Sequence, residues 1–434
     1  MNHLTRRGFL GLAGSTGVAA GLSACAGTGT SGTGDSGGGG GNSNTIEFWS
    51  NHPGTSKPTE QKIIAAFQKE NPDLTVKLVD AGKNYEEVAQ KFNAALVGGQ
   101  QPDVVVVSDV TWFNFALNKQ LTPLDDLLSA ASVDTSDYVD ALYGDYLYSD
   151  GHYALPYSRS TPLFYYNKEL WKKAGLPDRG PKTWPEFQEW SDALKSSVGK
   201  GKFAMELADG SNYLDWYFQN MAWDFGGAYS EEWTPTFSSA GTVKAGQFLQ
   251  GLADNGVVKF NATPEADFSA GLAACILQST GSLGGISTDA KFDVGTAFLP
   301  GTDNCPTGGA GVAVPANISD ERKANAAKFI SFLTNAENTV TFSQATGYMP
   351  VRKSAVDEPA EKSYLEKNPN AKTAIDQLPH TRSQDNARVF LPGGGARIGK
   401  ALDQIAQGQD VAQVFKGLDA ESQQVFDNQI KSKL

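Results

Sequence analysis

The sequence predicts an α/β protein, because strand-like and helix-like segments alternate along its first part and one of the strands is continuously apolar. That strand, over 103–107, reads Asp-Val-Val-Val-Val. A continuous apolar run of this length is typical of a strand buried on both faces, as in a parallel sheet covered by helices. Strands joined by helical crossovers therefore predict a parallel α/β lobe.

The alternation begins at Thr45. A strand over 45–50 precedes a helix over 58–69, and a strand over 74–79 precedes a helix over 84–97. Both helices carry apolar residues at intervals of three and four, which places those residues on one face.

Beyond Pro156 the chain enters a second region of mixed strands and helices. Strands are predicted over 162–166, 274–278, 292–299 and 311–315. Helices are predicted from Thr183 onward and over 211–223, 242–253 and 320–333.

The topology of the first lobe indicates where a ligand would bind. In open α/β sheets, ligands bind outside the carboxyl ends of the strands. Tyr85 and Asp109 follow the second and third predicted strands and are therefore candidate site residues. The alternatives are that Tyr85 packs on the sheet at the start of a helix and that Asp109 is a helix N-cap.

The composition excludes some partners. The 434 residues include 36 Lys and Arg against 48 Asp and Glu, a formal net charge of −12. Phosphate backbones are bound by cationic side chains, so this balance argues against a nucleic-acid partner. Beyond residue 25 no apolar run approaches the ~20 residues that span a bilayer.

The N-terminus has the pattern of an export signal. Residues 5–10 read Thr-Arg-Arg-Gly-Phe-Leu, and a weakly apolar segment then ends at Leu-Ser-Ala-Cys25. This ending resembles a bacterial lipobox, which predicts a twin-arginine signal peptide over 1–24 and lipidation of Cys25. The Gly- and Ser-rich stretch 25–44 predicts a flexible tether. The alternative is an ordinary N-terminal helix with a buried cysteine.

Enzyme signatures are absent from the sequence. The histidines (His3, His52, His152 and His380) are too far apart to form metal-ligand pairs, and there is no nucleophile elbow or P-loop lysine. We expect no catalytic residue, metal or cofactor. Cys275 and Cys305 remain once Cys25 is lipidated, and either one disulfide or two separate buried thiols is consistent with their number.

Several short stretches carry a family resemblance. In chain order they are Tyr-Ser-Arg-Ser-Thr-Pro at 157–162, Tyr-Tyr-Asn-Lys at 165–168, Pro-Lys-Thr-Trp at 181–184, Ser-Thr-Gly-Ser-Leu at 279–283, Cys-Pro-Thr-Gly-Gly at 305–309, Thr-Gly-Tyr-Met-Pro at 346–350 and Ala-Arg-Val-Phe at 387–390. From Thr45 the chain resembles the extracellular solute-binding proteins of carbohydrate-type ABC importers. Within them it is similar to the branch that binds glycerol-3-phosphate and glycerophosphocholine, with details closer to actinobacterial members.

This resemblance implies a periplasmic-binding-protein-like fold. Two α/β lobes would be joined by a three-segment hinge near 157–161, 308–312 and 348–350, with the ligand cleft between them. Lobe 1 is expected over 45–158 and 311–347, and lobe 2 over 159–310 and 348–434. The protein would be a monomer outside the cytoplasm, held to the membrane by its lipid anchor alone, and would deliver a glycerophosphodiester to an ABC permease and its ATPase.

The resemblance also implies a set of ligand-binding residues: Tyr85, Asp109, Ser160, Tyr213, Trp216, Ser279, Gly309, Tyr348 and Arg388. Tyr85 and Asp109 would bind the glycerol hydroxyls, and the single Arg would provide a planar fork for the phosphate. The two aromatics of 213 and 216 would lie beside the headgroup, since aromatic faces attract a quaternary ammonium. Some glycerol-3-phosphate binders have Trp where Tyr213 stands, which weakens the transfer of their ligand preference.

Each of these residues also has a possible structural role, and the function has alternatives. Ser160 suits a turn, Gly309 a loop, Arg388 an ordinary ion pair, and the two aromatics the core face of a helix. A sugar-binding receptor is the alternative within binding proteins. A lipid-anchored hydrolase of glycerophosphodiesters or glycosides is the alternative from another class.

Replacing Cys25 with Ala is expected to release the protein from the membrane, because the acyl chains on this cysteine are the predicted anchor. Fractionation of cells followed by immunoblotting measures the distribution. Undiminished membrane association of Cys25→Ala would contradict the lipidation.

Overall fold

The computed structural model describes residues 43–301 and 303–434. The predicted signal peptide and Cys25 lie outside the described residues. Of the described helices, none is both long and apolar enough to cross a membrane.

The strands are β1 (Thr45–Ser50), β2 (Thr75–Asp80), β3 (Val104–Ser108), β4 (Leu147–Tyr148), β5 (Gly151–His152), β6 (Leu155–Ser160), β7 (Pro162–Asn167), β8 (Phe203–Ala208), β9 (Ser230–Glu231), β10 (Thr234–Pro235), β11 (Val258–Asn261), β12 (Ala273–Ser279), β13 (Val294–Ala297), β14 (Cys305–Pro306), β15 (Gly308–Ala313) and β16 (Thr381–Arg382).

The helices are α1 (Lys57–Glu70), α2 (Tyr85–Gly98), α3 (Trp112–Leu117), α4 (Asp125–Ala130), α5 (Asp140–Gly144), α6 (Lys168–Lys173), α7 (Trp184–Val198), α8 (Leu214–Asp224), α9 (Ala240–Asp254), α10 (Pro264–Ser269), α11 (Leu283–Asp289), α12 (Asp320–Leu333), α13 (Ala336–Thr346), α14 (Pro359–Lys367), α15 (Pro369–Gln377), α16 (Asn386–Val389), α17 (Gly394–Ala406) and α18 (Val411–Val425).

The first five-stranded sheet has the order β2-β1-β3-β15-β6. Strand β1 pairs in parallel with β2 and β3, as the sequence predicts, and β3 is buried along its whole length. Strand β15 is antiparallel to both β3 and β6. The predicted start of the second region after Pro156 is wrong, because β6 remains in this sheet to Ser160 and all six of its residues are buried.

The second sheet has the order β11-β8-β12-β7-β13. Its strands β7, β12 and β13 correspond to predicted strands, although β13 is shorter than the predicted 292–299. Strands β8 and β11 were not predicted. Strand β8 reads Phe-Ala-Met-Glu-Leu-Ala, a set rich in helix formers, and becomes a strand by pairing in parallel with β11 and β12.

The chain passes between the two sheets at Thr161 and at Thr307, and Arg159 lies between these passages and the segment at Met349, with which it forms an isolated β-bridge. The guanidinium of Arg159 is fully buried, forms an ion pair with Asp145 and donates to the hydroxyl of Tyr146 at 3.0 Å. Thr307 donates to the same carboxylate at 2.7 Å, and the backbone N–H of Met349 donates to the carbonyl of Arg159 at 2.9 Å. The predicted lobe divisions at 158/159 and 310/311 fall inside β6 and β15, and the lobe bounds remain a prediction.

Two glycines bring α17 against the loop before α8. A Cβ added to Gly399 would lie 2.0 Å from the carbonyl oxygen of Gly210, and a Cβ on Gly210 would lie 2.1 Å from that of Gly399. Only a residue without a side chain permits this approach. The contact fixes the loop that leads to Tyr213.

Gly399→Ala is expected to lower the free energy of unfolding by ~1–3 kcal/mol, because the added methyl group must push helix and loop apart. Gly417→Ala is the matched control: Gly417 lies inside α18 with open space around its Cα, so alanine there should add up to ~1 kcal/mol through helix propensity. Urea unfolding measures both. A stabilised Gly399→Ala variant would contradict the close approach.

Candidate functional site

A cavity of about 840 Å³ is lined by elements of both sheets, and all nine sequence-predicted ligand residues line it. Its volume is in the range of ligand pockets for small molecules. Tyr85 begins α2, Asp109 follows β3, Ser160 ends β6, Ser279 ends β12 and Gly309 lies in β15. The remaining four lie in or beside helices. Tyr213 directly precedes α8 and Trp216 lies in it, Arg388 lies in α16, and Tyr348 follows α13.

Three hydroxyl groups meet at one part of the cavity. The hydroxyl of Tyr85 lies 3.2 Å from Ser158 Oγ and 3.3 Å from the hydroxyl of Tyr348. Burial raises the pKa of Tyr85 and of Tyr348, so both stay neutral and can donate as well as accept hydrogen bonds. Tyr85 therefore does more than pack on the sheet.

Asp109 is not a helix N-cap, because α3 begins three residues later and follows Thr111. The backbone N–H of Asp109 donates to the carbonyl of Gly309 at 3.0 Å, and its Oδ2 accepts from Gln384 Nε2 at 2.5 Å. Among the described residues no donor reaches Oδ1 of Asp109. That oxygen is free to accept a ligand hydroxyl.

Arg388 is buried and already surrounded by acceptors. Its Nε donates to Asp215 Oδ2 at 2.7 Å, its Nη1 lies 3.4 Å from Asp109 Oδ2, and Nη1 also donates to Gln384. Burial alone would lower the pKa of Arg388, but the two carboxylates outweigh it and hold the pKa above its usual value. Nη2 makes no hydrogen bond to a described residue and is left for a ligand anion. Arg388 therefore forms an ion pair, as its alternative structural role predicts, and it also lines the cavity.

Asp215 is a site residue that the sequence reasoning missed. It lies in the first turn of α8 and is buried, and a Cβ on Gly395 would meet its Oδ2 at 2.7 Å. Burial raises the pKa of Asp215, while the nearby guanidinium of Arg388 opposes the rise. The sequence carried one local signal, an acid in the first turn of a helix beside Trp216, but not its burial.

Neutral hydrogen-bonding groups also line the cavity. Ser160 is buried, and its Oγ makes no hydrogen bond to a described residue. Ser279 Oγ accepts from the backbone of Gly281 at 3.1 Å, which leaves its own proton for another acceptor. Gly309 has a φ of 94°, and a Cβ there would lie 2.1 Å from the carbonyl oxygen of Ser158, so only glycine fits this position.

The two predicted headgroup aromatics differ in exposure. Tyr213 is 48% exposed, whereas Trp216 is 4% exposed, and their rings meet edge-to-face with centroids 6.4 Å apart. Trp216 donates from Nε1 to the carbonyl of Thr307 at 2.9 Å and packs against Gly308. Trp216 therefore supports the second passage between the sheets as well as lining the cavity.

Carboxylates outnumber cations around the cavity. Among the described residues that line it, five are acidic and two are basic: Glu86, Asp109, Asp215, Glu265 and Asp403, against Arg388 and Lys400. The glycine run 393–395 at the start of α17 lines it too. The sequence did not predict Glu86, Glu265, Asp403, Lys400 or the glycine run as site residues. Of these residues, only the glycine run at the start of α17 forms a local pattern that can be recognised in the sequence.

Cys275 and Cys305 are both free and buried, so the open question of a disulfide is settled in favour of separate thiols. Within 43–301 and 303–434 no group of three or more His, Cys, Asp or Glu is arranged to hold a metal ion.

Solved structures show which class of fold this is. The chain superimposes with a TM-score of 0.75 on the acarbose receptor GacH of Streptomyces glaucescens, at 20% identity, over 88% of this chain and 98% of that one. It superimposes with a TM-score of 0.76 on the sugar-binding protein MalE of Xanthomonas citri, at 21% identity, over 88% and 97%. The fold is periplasmic-binding-protein-like, with two α/β lobes and the cavity between them, as the resemblance implied.

The family is shown by the sequence itself. Residues 62–373 match the family of bacterial extracellular solute-binding proteins, and the chain belongs to that family. It is 30% identical to the sn-glycerol-3-phosphate-binding periplasmic protein UgpB of Escherichia coli K12 over 357 residues, which cover 77% of this chain and 80% of that protein. It is 52% identical, with a TM-score of 0.87, to the crystal structure of UgpB from Mycobacterium tuberculosis in complex with glycerophosphocholine, over 90% of this chain and 100% of that one.

Arg388→Ala is expected to lower the free energy of unfolding by ~3–5 kcal/mol near neutral pH, because Asp215 would remain as an unpaired buried charge. Burial already raises the pKa of Asp215, and losing Arg388 raises it further. A carboxyl whose pKa is higher in the folded state binds extra protons there, so its contribution to stability falls as pH rises. The deficit of the variant should therefore be smaller at pH ~5 than at pH ~7.5.

Urea unfolding of the parent and the variant at both pH values measures this deficit. The double variant Arg388→Ala/Asp215→Asn is the control, since it removes the unpaired charge and with it the pH dependence. An equal loss at both pH values would show that the loss does not come from an ionised Asp215 left without its partner.

Proposed function

We propose that this protein captures glycerophosphodiesters outside the cytoplasm, with glycerophosphocholine as the preferred ligand, and delivers them to an ABC permease and its ATPase. Glycerol-3-phosphate would be a weaker ligand. The family consists of solute-binding proteins of transporters, which are not enzymes.

One observation carries the choice of ligand: the cavity is lined by one guanidinium group, an aromatic pair and an excess of carboxylates. The free Nη2 of Arg388 with the hydroxyls of Ser160 and Ser279 suits a phosphate that carries about one negative charge. Tyr213 and Trp216 suit a trimethylammonium group, which aromatic faces and nearby carboxylates attract. Tyr85 and Asp109 suit the glycerol hydroxyls.

The relatives support this ligand class. The Escherichia coli relative is described as binding sn-glycerol-3-phosphate, and the Mycobacterium tuberculosis relative was crystallised with glycerophosphocholine. The second is the more similar in sequence, and all nine proposed ligand residues of this chain line one cavity.

Capture would proceed by closure of the two lobes about a hinge of three segments, at Thr161, Thr307 and Met349. Ligand contacts come from both sides, so hydrogen bonds formed on closure hold the lobes together around the ligand. The protein would act as a monomer anchored through a lipidated Cys25 and the tether 25–44, and its closed form would dock on the permease.

Tyr213→Ala is expected to weaken glycerophosphocholine binding by ~2–30-fold, the equivalent of the ~0.5–2 kcal/mol of one cation–π contact. Tyr213 is the better test position because it is half exposed, whereas Trp216 also bonds to Thr307. Tyr213→Phe is the matched control, since it keeps the aromatic face. Glycerophosphoglycerol, a diester without a cation, should bind both variants like the parent. Isothermal titration calorimetry measures all combinations.

Other outcomes would point to other functions. Tight maltose binding with no glycerophosphodiester binding would favour a sugar receptor. Release of choline from glycerophosphocholine during incubation would favour a hydrolase, because a binding protein returns its ligand unchanged. Equal losses of all diesters in Tyr213→Ala would assign Tyr213 to general packing.

A further inference from the structure

The positive charge of Arg388 is compensated before any ligand arrives. Asp215 Oδ2 lies 2.7 Å from Nε, and Asp109 Oδ2 lies 3.4 Å from Nη1. Both contacts occur in a buried environment, where charges interact more strongly than in water. One guanidinium group thus faces two carboxylates, and only its Nη2 remains for a ligand.

The carboxylates farther from Arg388 add to this excess. Glu86 is exposed at the start of α2, Glu265 accepts from Gln278 at 2.9 Å and Asp403 accepts from the backbone of Gly210 at 2.8 Å. Lys400 is the other cation among the described lining residues, and it is exposed. The cavity therefore presents a negative field to an entering ligand.

We propose that Asp215 is a specificity-determining residue, which by neutralising Arg388 makes the cavity favour glycerophosphodiesters with a cationic headgroup and disfavour phosphomonoesters. This inference rests on the proposed function. A diester carries about one negative charge on its phosphate, and choline cancels it, whereas a monoester approaches two negative charges near pH 7. A dianion in this cavity meets one cation that is already paired and an excess of carboxylates. The attraction to that cation therefore does not offset the free-energy cost of desolvating the dianion.

Asp215 acts through Arg388 and is in that sense a positioning residue. Its bond to Nε holds one edge of the guanidinium group, and Gln384 and Asp109 hold Nη1. A purely structural role would affect all ligands alike. An electrostatic role must instead depend on the charge of the ligand.

The test uses Asp215→Asn, which removes one charge and keeps an oxygen that can accept from Arg388 Nε. Calorimetry at low salt measures the affinities of glycerophosphocholine, glycerophosphoglycerol and glycerol-3-phosphate, with net charges near zero, −1 and −2. Relative to glycerophosphocholine, glycerol-3-phosphate should gain at least ~10-fold in the variant, with glycerophosphoglycerol in between. Glu70→Gln, the same charge change at an exposed position of α1 away from the cavity, should leave the ratios unchanged.

Glu86→Gln provides a second variant whose exposed position protects the fold, and it should change the ratios in the same direction by about twofold. Equal changes for all three ligands in both cavity variants would overturn the inference while leaving the proposed function intact. A parent protein that binds none of the glycerophosphodiesters would instead overturn the proposed function.

Discussion

The buried ion pair between Arg159 and Asp145 is the interaction on which the arrangement of the two sheets depends. Arg159 lies two residues before the first passage, Thr307 of the second passage donates to the same carboxylate, and the backbone N–H of Met349 donates to the carbonyl of Arg159. Burial raises the pKa of Asp145, and the charge of Arg159 opposes that rise. Removing one partner of such a pair leaves an uncompensated buried charge, which costs about 3–5 kcal/mol. Arg159 and Asp145 therefore contact Tyr146 and the segments at Thr307 and Met349.

Strands with an apolar run could be predicted from local pattern, whereas strands that depend on a distant partner, such as β8 and the first residues of β15, could not. Strand β3 is apolar throughout, and such a run has few other structural solutions. Strand β15 overlaps the predicted strand over 311–315 but already begins at Gly308, and its first residues, Gly-Gly-Ala, have little intrinsic preference for a strand. Its conformation comes from pairing with β3 on one side and β6 on the other, and those partners are distant in sequence. The second region was predicted to start after Pro156 for the same reason, since pairing with β15 keeps β6 in the first sheet to Ser160.

The lining of the cavity could be predicted where residues belong to ordered motifs, and it could not where the position of a residue depends on a distant partner. The nine candidate residues come from separate stretches between Tyr85 and Arg388, and the structure brings them to one cavity. Asp215 belongs to none of those motifs. Its importance comes from burial beside a guanidinium group 173 positions later in the chain, which no local pattern reveals. Glu265 and Asp403 also contact residues outside their own helical turns, Gln278 and Gly210.

The two buried thiols have a consequence for how the protein matures. Cys275 has no exposed surface and donates from Sγ to the carbonyl of Ala204, and Cys305 is also buried and unpaired. Burial raises the pKa of both thiols, which keeps them protonated and poorly nucleophilic. Residues 43–301 and 303–434 therefore contain no disulfide, so this part of the chain can fold in a reducing compartment and keep the same covalent connectivity in an oxidising one.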